Sequence, residues 1–217
     1  LAVAGGLIIP RNLAPPIRVL AHTASRIANG EFGLQVNANR NTQEINELAN
    51  AFETMQEGLA EREARIMYQA HHDPLTKLIN RQHVITRLSQ HLDRAQFKPI
   101  AVICINILDF RIVNDTFGHV VGDQCLKQIA GVLDEHVKRP RDVAIRFGGE
   151  EFALLLPGTD LDGARTLCLG ILKAMRKTPL IAPGNETFHL TLSAGIAELA
   201  TGQEPSDLFR KADEARK

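Results

Sequence analysis

Apolar residues recur along this chain with two different periods, and the change of period divides it. From Pro16 onward, Ile17, Leu20, Ala24 and Ile27 repeat in alternating steps of three and four, and Ile45, Leu48, Phe52, Met55 and Leu59 do the same. Such narrow seams predict two short heptad helices, the first closed by Gly30, joined by a connector through Phe32, Leu34 and Val36. Arg62 interrupts the second seam and Ile66 resumes it. The helix is therefore expected to run on as a stalk to the Asp73-Pro74 break, where proline disfavours a helical residue before it. Seams this narrow favour a parallel partner, a second copy of the chain, over an antiparallel hairpin packed on the rest of the molecule.

Beyond the break, helix and strand signals alternate. A helix is predicted from about Arg81 to Ala95, a strand over Pro99 to Ile107, a helix from Asp123 to Val137, and two short strands over Val143 to Arg146 and Phe152 to Leu156. A helix from Leu161 to Arg176, a strand from Thr187 to Ala197 and a last helix opening near Ser206 follow. This alternation predicts an α/β domain with one central sheet and helices on its faces. Ile100 to Ile105 is nearly unbroken in apolar and β-branched residues, as a strand buried on both faces should be. Leu126, Ile129, Ala130, Leu133 and Val137 share one helix face and are expected in the core. Between the two short strands, Gly148 and Gly149 are expected to supply a positive-φ hairpin turn that presents Glu150 and Glu151 side by side.

Composition narrows the function classes. Of 217 residues 44% are apolar, enough for a substantial core, and Lys plus Arg equal Asp plus Glu at 25 each. No global basic field points to DNA or RNA, so any nucleotide contact must come from local groups. Cys104, Cys125 and Cys168 are widely spaced in apolar segments and read as buried thiols, and the eight histidines form no metal-ligand pattern. Leu1 to Ile9 is an uncharged apolar run ending at Pro10-Arg11. It falls short of the ~20 residues needed to cross a bilayer. With no initiator methionine, it is expected to be the cytoplasmic end of a transmembrane helix that has been cut through, with Arg11 on the inner side.

The glycine turn carries the candidate chemistry. Two residues without side chains let a phosphate or sugar approach the backbone, while Glu150 and Glu151 can hold a divalent cation or accept a proton. Alone, the same residues describe an ordinary hairpin with solvated glutamates equally well. Other stretches decide the matter: His72-Asp73-Pro74-Leu75-Thr76-Lys77-Leu78-Ile79-Asn80-Arg81, then Phe110-Arg111-Ile112-Val113-Asn114-Asp115-Thr116-Phe117-Gly118-His119 with Gly122-Asp123, then Arg146-Phe147-Gly148-Gly149-Glu150-Glu151-Phe152. In this order and spacing the chain from about residue 70 resembles the GGDEF domain of diguanylate cyclases, which join two GTP molecules into cyclic di-GMP. The heptad pair resembles a HAMP module, with Pro16 opening the first helix, Gly30-Glu31-Phe32 closing it and Gln43-Glu44-Ile45 opening the second. Where that family has Asp-Glu-x-Gly, this chain keeps only Glu44. The expected layout is a membrane-helix end over 1–11, HAMP over 12–62, a stalk over 63–72 and the GGDEF domain over 73–217.

The resemblance implies a mostly antiparallel sheet like the palm of polymerases and nucleotide cyclases. It implies attack by the 3′-hydroxyl of one GTP on the α-phosphate of another, performed twice, with two Mg2+ ions per site. Glu150 is the implied proton acceptor and a metal contact, and Glu151, Asn106 and the Ile107 carbonyl are implied metal ligands. Asn114 and Asp123 match the positions that hydrogen-bond guanine. The backbone around Asp109, Phe110 and Arg111 would cradle phosphates, with His119, Gly148 and Gly149 lining the nucleotide. Arg139 and Asp142 match the Arg-x-x-Asp site at which cyclic di-GMP inhibits many such enzymes. Two departures stand out. Asn106-Ile107-Leu108-Asp109-Phe110 replaces Asp-x-Asp-x-Phe, so a metal-binding carboxylate becomes an amide, and the matching helix Lys211-Ala212-Asp213-Glu214-Ala215 runs into Arg216-Lys217 without a counterpart of the Lys and Arg with which the family goes on to contact phosphates. The expected protein is a homodimeric cyclase on the cytoplasmic face of a bacterial inner membrane, switched by its HAMP module and inhibited by product. The alternative is a weak or inactive GGDEF domain that senses GTP or cyclic di-GMP for another domain.

Overall fold

The computed structural model describes residues 14–29, 31, 43–84, 99–199 and 205–216. The predicted membrane-helix end, the Gly30 stop, the connector through Phe32, Leu34 and Val36, and most of the helix predicted after Arg81 lie outside them; 81–84 are helical. The chain divides into two units, Leu1–Tyr68 and Gln69–Lys217.

The first unit contains α1 (Ala14–Ala28) and most of α2 (Gln43–His71). Leu20 of α1 and Ala49 of α2 form a small core with Phe52 against it, and Thr23, Ile27, Ile45 and Gln56 are also buried. Within one chain only part of the predicted seam is covered. The buried line on α2 is Ile45, Ala49 and Gln56, with Phe52 partly buried, whereas Leu48 and Met55 are 49% and 48% exposed. A single neighbouring helix covers only one flank of a heptad stripe, and the flank it covers includes Ala49, whose small side chain admits close approach. The other flank leaves Ile17, Leu48, Met55, Leu59 and Ile66 exposed.

The second unit is built on a five-stranded sheet in the order β1-β3-β4-β2-β7. Its strands are β1 (Ile79–Asn80), β2 (Ile100–Ile107), β3 (Val143–Arg146), β4 (Glu151–Pro157) and β7 (Leu192–Glu198). Among the described residues only β1 and β3 pair parallel; β3 with β4, β4 with β2 and β2 with β7 are antiparallel. The sheet is mixed and mostly antiparallel, with helices on both faces. Alternation along β2 divides the core between those faces. Ala101, Ile103, Ile105 and Ile107, with Phe152, Leu154 and Leu156, pack in one cluster with residues of α4 (His119–His136) and α5 (Leu161–Lys177). Ile100, Val102 and Cys104, with Ala153 and Leu155, join Leu208, Phe209 and Ala212 of α6 (Pro205–Glu214) in another. The α5 helix begins where Asp160 accepts a hydrogen bond from the Gly163 N–H at 2.8 Å, an N-cap that satisfies one orphan donor. Gly195 of β7 lets α6 close down on the sheet: a Cβ there would stand 2.0 Å from the Ala212 carbonyl oxygen. All three cysteines are buried and free.

Three boundaries differ from expectation. The strand predicted over Thr187 to Ala197 is two strands: β6 (Thr187–Phe188) pairs with β5 (Leu180–Ile181), and β7 pairs with β2. The chain changes sheets between them, with Leu190 turned into the core. The helix predicted from Asp123 starts at His119, so Asp123 lies inside it and does not cap it. A short helix, α3 (Phe110–Phe117), precedes it, joined through Gly118 at φ 84°. Positive φ is accessible to glycine at little cost, which lets one helix stop and the next start within a single residue.

Candidate active site

The far end of β2 and the β3–β4 turn are brought together by strand register. Asn106 sits opposite Glu151 on β4 and opposite Ser193 on β7. One residue further, the Ile107 N–H donates to the Glu150 carbonyl at 3.2 Å, docking the turn against the end of the strand. Asn106, Ile107, Glu150 and Glu151 therefore occupy one corner of the sheet.

The turn itself is not made by positive φ. Gly148 and Gly149 are absent from the residues with φ above zero, which corrects the expectation drawn from the glycine pair. The Phe147 and Gly148 N–H groups both donate to the Glu151 carbonyl, at 2.8 and 3.1 Å. The glycines supply space instead. A Cβ at Gly148 would lie 2.9 Å from Glu151 Oε2, and one at Gly149 would meet nothing, leaving that exposed backbone open to a ligand.

Arg146 holds the turn from outside. Its guanidinium donates to the Gly149 carbonyl at 2.9 Å, to the Gly148 carbonyl at 3.3 Å and to Asp73 Oδ1 at 2.9 Å. Asp73 Oδ1 also accepts from the Thr76 N–H and hydroxyl, at 2.8 and 2.7 Å. Burial pushes the Asp73 carboxyl up, but the Thr76 donors and the guanidinium outweigh it and hold the carboxyl below its ordinary value. Sequence reasoning missed this arrangement, reading Asp73 only as a helix break. The signal available was Thr76 three residues after Asp73, the spacing at which an Asx side chain captures a backbone N–H.

Glu151 faces a cavity of about 230 Å3, with Arg216 Nη2 3.8 Å from its carboxylate and Cys104, Phe147 and Asp213 also in the lining. Asn106 Oδ1 and Ser193 Oγ are buried without hydrogen-bond partners. An orphaned amide oxygen at a corner that also carries Glu150, Glu151 and the Ile107 carbonyl offers an oxygen-only donor set, the kind a hard cation takes. The residues present fit such an ion, with one negative charge fewer than a carboxylate at Asn106 would give. Among the described residues no group of three or more His, Cys, Asp or Glu side chains converges for a metal.

Only Leu108 and Asp109 separate β2 from α3, which carries the second set of candidates. Asp109 takes φ 55°, in the left-handed region that aspartate enters more readily than most residues, and so turns the chain sharply into the helix. The first N–H groups of a helix lack partners within it and favour anionic ligands. Phe110 is buried and anchors α3, whereas Arg111 is exposed and lies 3.5 Å from Asp115. The Asn114 side chain lies against Gly122 of α4; Asp123 and His119 are exposed on that helix.

Arg139 and Asp142 lie in the α4–β3 loop, with the Asp142 N–H donating to the Arg139 carbonyl at 3.1 Å. Both line a cavity of about 170 Å3 with His136, Lys138, Thr159 and Leu167, and Arg139 Nη1 donates to Thr159 Oγ1 at 3.1 Å. Asp142 Oδ1 is buried and unpartnered; burial pushes its carboxyl up, partly opposed by the Arg139 cation. Lys138 and Thr159 were not singled out in the sequence, since neither falls in a recognisable motif.

The family described as "Diguanylate cyclase, GGDEF domain" matches residues 70–217, and "HAMP domain" matches residues 11–61. Diguanylate cyclase DgcP of Pseudomonas aeruginosa is 38% identical over 145 residues, covering 66% of this chain and 21% of DgcP. Response regulator PleD of Caulobacter vibrioides is 36% identical over 146 residues, covering 65% of this chain and 32% of PleD. The chain thus spans a third or less of the length of these curated relatives. Among solved structures, the coiled coil and GGDEF domain of DgcB from Caulobacter crescentus, in complex with c-di-GMP, superposes with a TM-score of 0.72. It is 28% identical and covers 80% of this chain and 92% of that one.

Proposed function

We infer the function from kinship: the chain belongs to the GGDEF-domain diguanylate cyclase family, with a HAMP domain ahead of the GGDEF domain, and we propose that it condenses two GTP into cyclic di-GMP and pyrophosphate. The observation that supports this most strongly is the register that sets Glu150 and Glu151 beside Asn106 and Ile107 at the end of β2. In this reading Glu150 accepts the proton as the 3′-oxygen bonds to the α-phosphorus and the bond to pyrophosphate breaks. Asp123 accepts from guanine N1 and the exocyclic amine, and Asn114 reads the rest of that edge. The start of α3 faces the phosphates with its backbone N–H groups, and the open Gly149 backbone lets the nucleotide close on the turn. Glu150, Glu151, the Asn106 amide oxygen and the Ile107 carbonyl would hold Mg2+, two ions per site, which supplies counter-charge to the triphosphate.

Each domain holds one GTP, so two chains must face each other, and the exposed apolar flank of the heptad helices suits a second copy of the chain. The match to a HAMP domain supports a membrane-linked signalling role. No helix among the described residues is long and apolar enough to cross a membrane, and attachment at the inner face of the bacterial membrane through residues 1–11 is part of the proposal. Cyclic di-GMP would bind at Arg139 and Asp142 as a feedback inhibitor, a reading supported by the unpartnered Asp142 oxygen in its cavity. A second reading, a nucleotide-sensing module with little turnover, is favoured by one observation: Asn106 stands where the family carries a carboxylate.

The test is incubation of the dimeric chain with GTP and Mg2+, followed by chromatography. Cyclic di-GMP formed by the wild type and lost in Glu150→Gln supports the enzyme. Tight cyclic di-GMP binding with no product at any Mg2+ concentration supports the sensing module.

A further inference from the structure

Gly122 lies in the second turn of α4, directly against Asn114 of α3. A Cβ on Gly122 would stand 2.0 Å from Asn114 Oδ1, 3.1 Å from Asn114 Cγ and 3.2 Å from Phe110 Cζ. The first distance is one that no side chain tolerates. Beyond Asn114 and the Phe110 ring nothing about the position calls for glycine: its φ is not positive, and glycine inside a helix costs roughly 0.5–1 kcal/mol relative to alanine. Its backbone is held in the helix, since Gly122 is buried and its N–H donates to the Gly118 carbonyl at 3.2 Å. What the missing side chain supplies is the volume occupied by the Asn114 amide.

We propose that Gly122 is a positioning residue for base recognition: its bare Cα seats the Asn114 amide in the one rotamer that meets the guanine edge. The inference rests on the reading of Asn114 as a guanine ligand. A methyl group at 122 would drive the amide into another staggered well, away from the base. Asp123, next in the helix, is exposed and does not share this constraint. Base selectivity would thus depend on a residue that never touches the base.

The test is calorimetric binding of a GTP analogue with a methylene bridge between the α- and β-phosphates, using the whole chain in four forms: wild type, Gly122→Ala, Asn114→Ala and the double variant. Gly122→Ala is expected to weaken binding by about tenfold, the effect of losing one hydrogen bond to the base. In the double variant it should add nothing to the effect of Asn114→Ala, since both act through the same amide. An unchanged affinity in Gly122→Ala overturns the proposal, as does a further loss on top of Asn114→Ala. If Asn114→Ala alone binds like the wild type, the guanine role of Asn114 fails, and this inference falls with it. Should Gly122→Ala fail to fold, folding restored by Asn114→Ala supports the steric conflict with the amide, and folding not restored overturns it.

Discussion

Replacing Arg146 with alanine removes three hydrogen bonds at once and tests whether the acidic turn is held from outside. The bonds are those to the Gly148 and Gly149 carbonyls and to Asp73 Oδ1. The Arg146 and Asp73 side chains are 15% and 18% exposed, so the ion pair is largely but not fully withdrawn from water. The Gly149 carbonyl belongs to an exposed residue and water can replace its lost donor, and the Gly148 bond is already long at 3.3 Å. The cost then comes mainly from Asp73, left buried with only the Thr76 donors. For a charged group losing its counter-ion in this setting, the loss of folding stability should be about 2–3 kcal/mol. Arg146→Lys keeps the charge but not the fork that spans the carboxylate and two carbonyls, and should cost about half as much. Urea unfolding followed by circular dichroism reads both values. The pH dependence supplies an internal check. Because the folded-state pKa of Asp73 is lowered below 3.8, its stabilising contribution is present above that value and is lost as pH falls through the folded pKa. The gap between wild type and Arg146→Ala should therefore be full at neutral pH and shrink below about pH 4. A loss under about 0.5 kcal/mol, or a gap that persists unchanged into acid, would refute the claim that this pair braces the turn.

Asn106→Asp restores a carboxylate across from Glu151; it should raise Mg2+ affinity and turnover while lowering the metal-free melting temperature through like-charge repulsion, and no change in either shows that position 106 is not a ligand. Gly195→Ala should loosen α6 from β7, because the new methyl meets the Ala212 carbonyl at 2.0 Å; a loss of about 2–3 kcal/mol in urea unfolding is expected, and a neutral result would mean that the helix can shift at no cost. Burial lifts the Cys104 thiol to about 12, so iodoacetamide at pH 8 should leave it unmodified in the native chain and alkylate it after unfolding, as read by peptide mass mapping. Arg139→Ala should weaken cyclic di-GMP binding by about tenfold or more in calorimetry and lift feedback inhibition, and unchanged product affinity removes the inhibitory site.

What could be read from the sequence divides along a physical line. β2 was legible because a strand buried on both faces has to be apolar throughout, and the Leu126, Ile129, Ala130 and Leu133 stripe because one helix face packs on the sheet. The acidic corner was legible as a motif, since Glu150 and Glu151 are adjacent in sequence. The features that were missed depend on distant residues or on single backbone angles. Arg146 and Asp73 are brought together only by the fold, and no local pattern announces their contact. α3 is eight residues long and enters through a left-handed Asp109, so no helix was predicted between Ile107 and Asp123. The glycine pair suggested a positive-φ turn, whereas what Gly148 supplies is room beside the Glu151 carboxylate. On α2 the heptad period was legible, but not the second line, Ile45, Ala49 and Gln56, that is buried within one chain, because period reports only that a stripe exists. Which flank is buried depends on the neighbour, and Ala49 is what lets α1 lie there.

The central claim is that the turn carboxylates and the end of β2 gather a metal ion around a guanosine triphosphate. Crystals grown with Mn2+ and 3′-deoxy-GTP, which binds but cannot be joined through the missing hydroxyl, would locate the ion by its anomalous scattering. The account predicts a peak about 2.1 Å from carboxylate oxygens of Glu150 or Glu151 and from the Ile107 carbonyl, with the guanine beside Asn114 and Asp123. A peak away from that corner, or a nucleotide seated elsewhere on the domain, would contradict it.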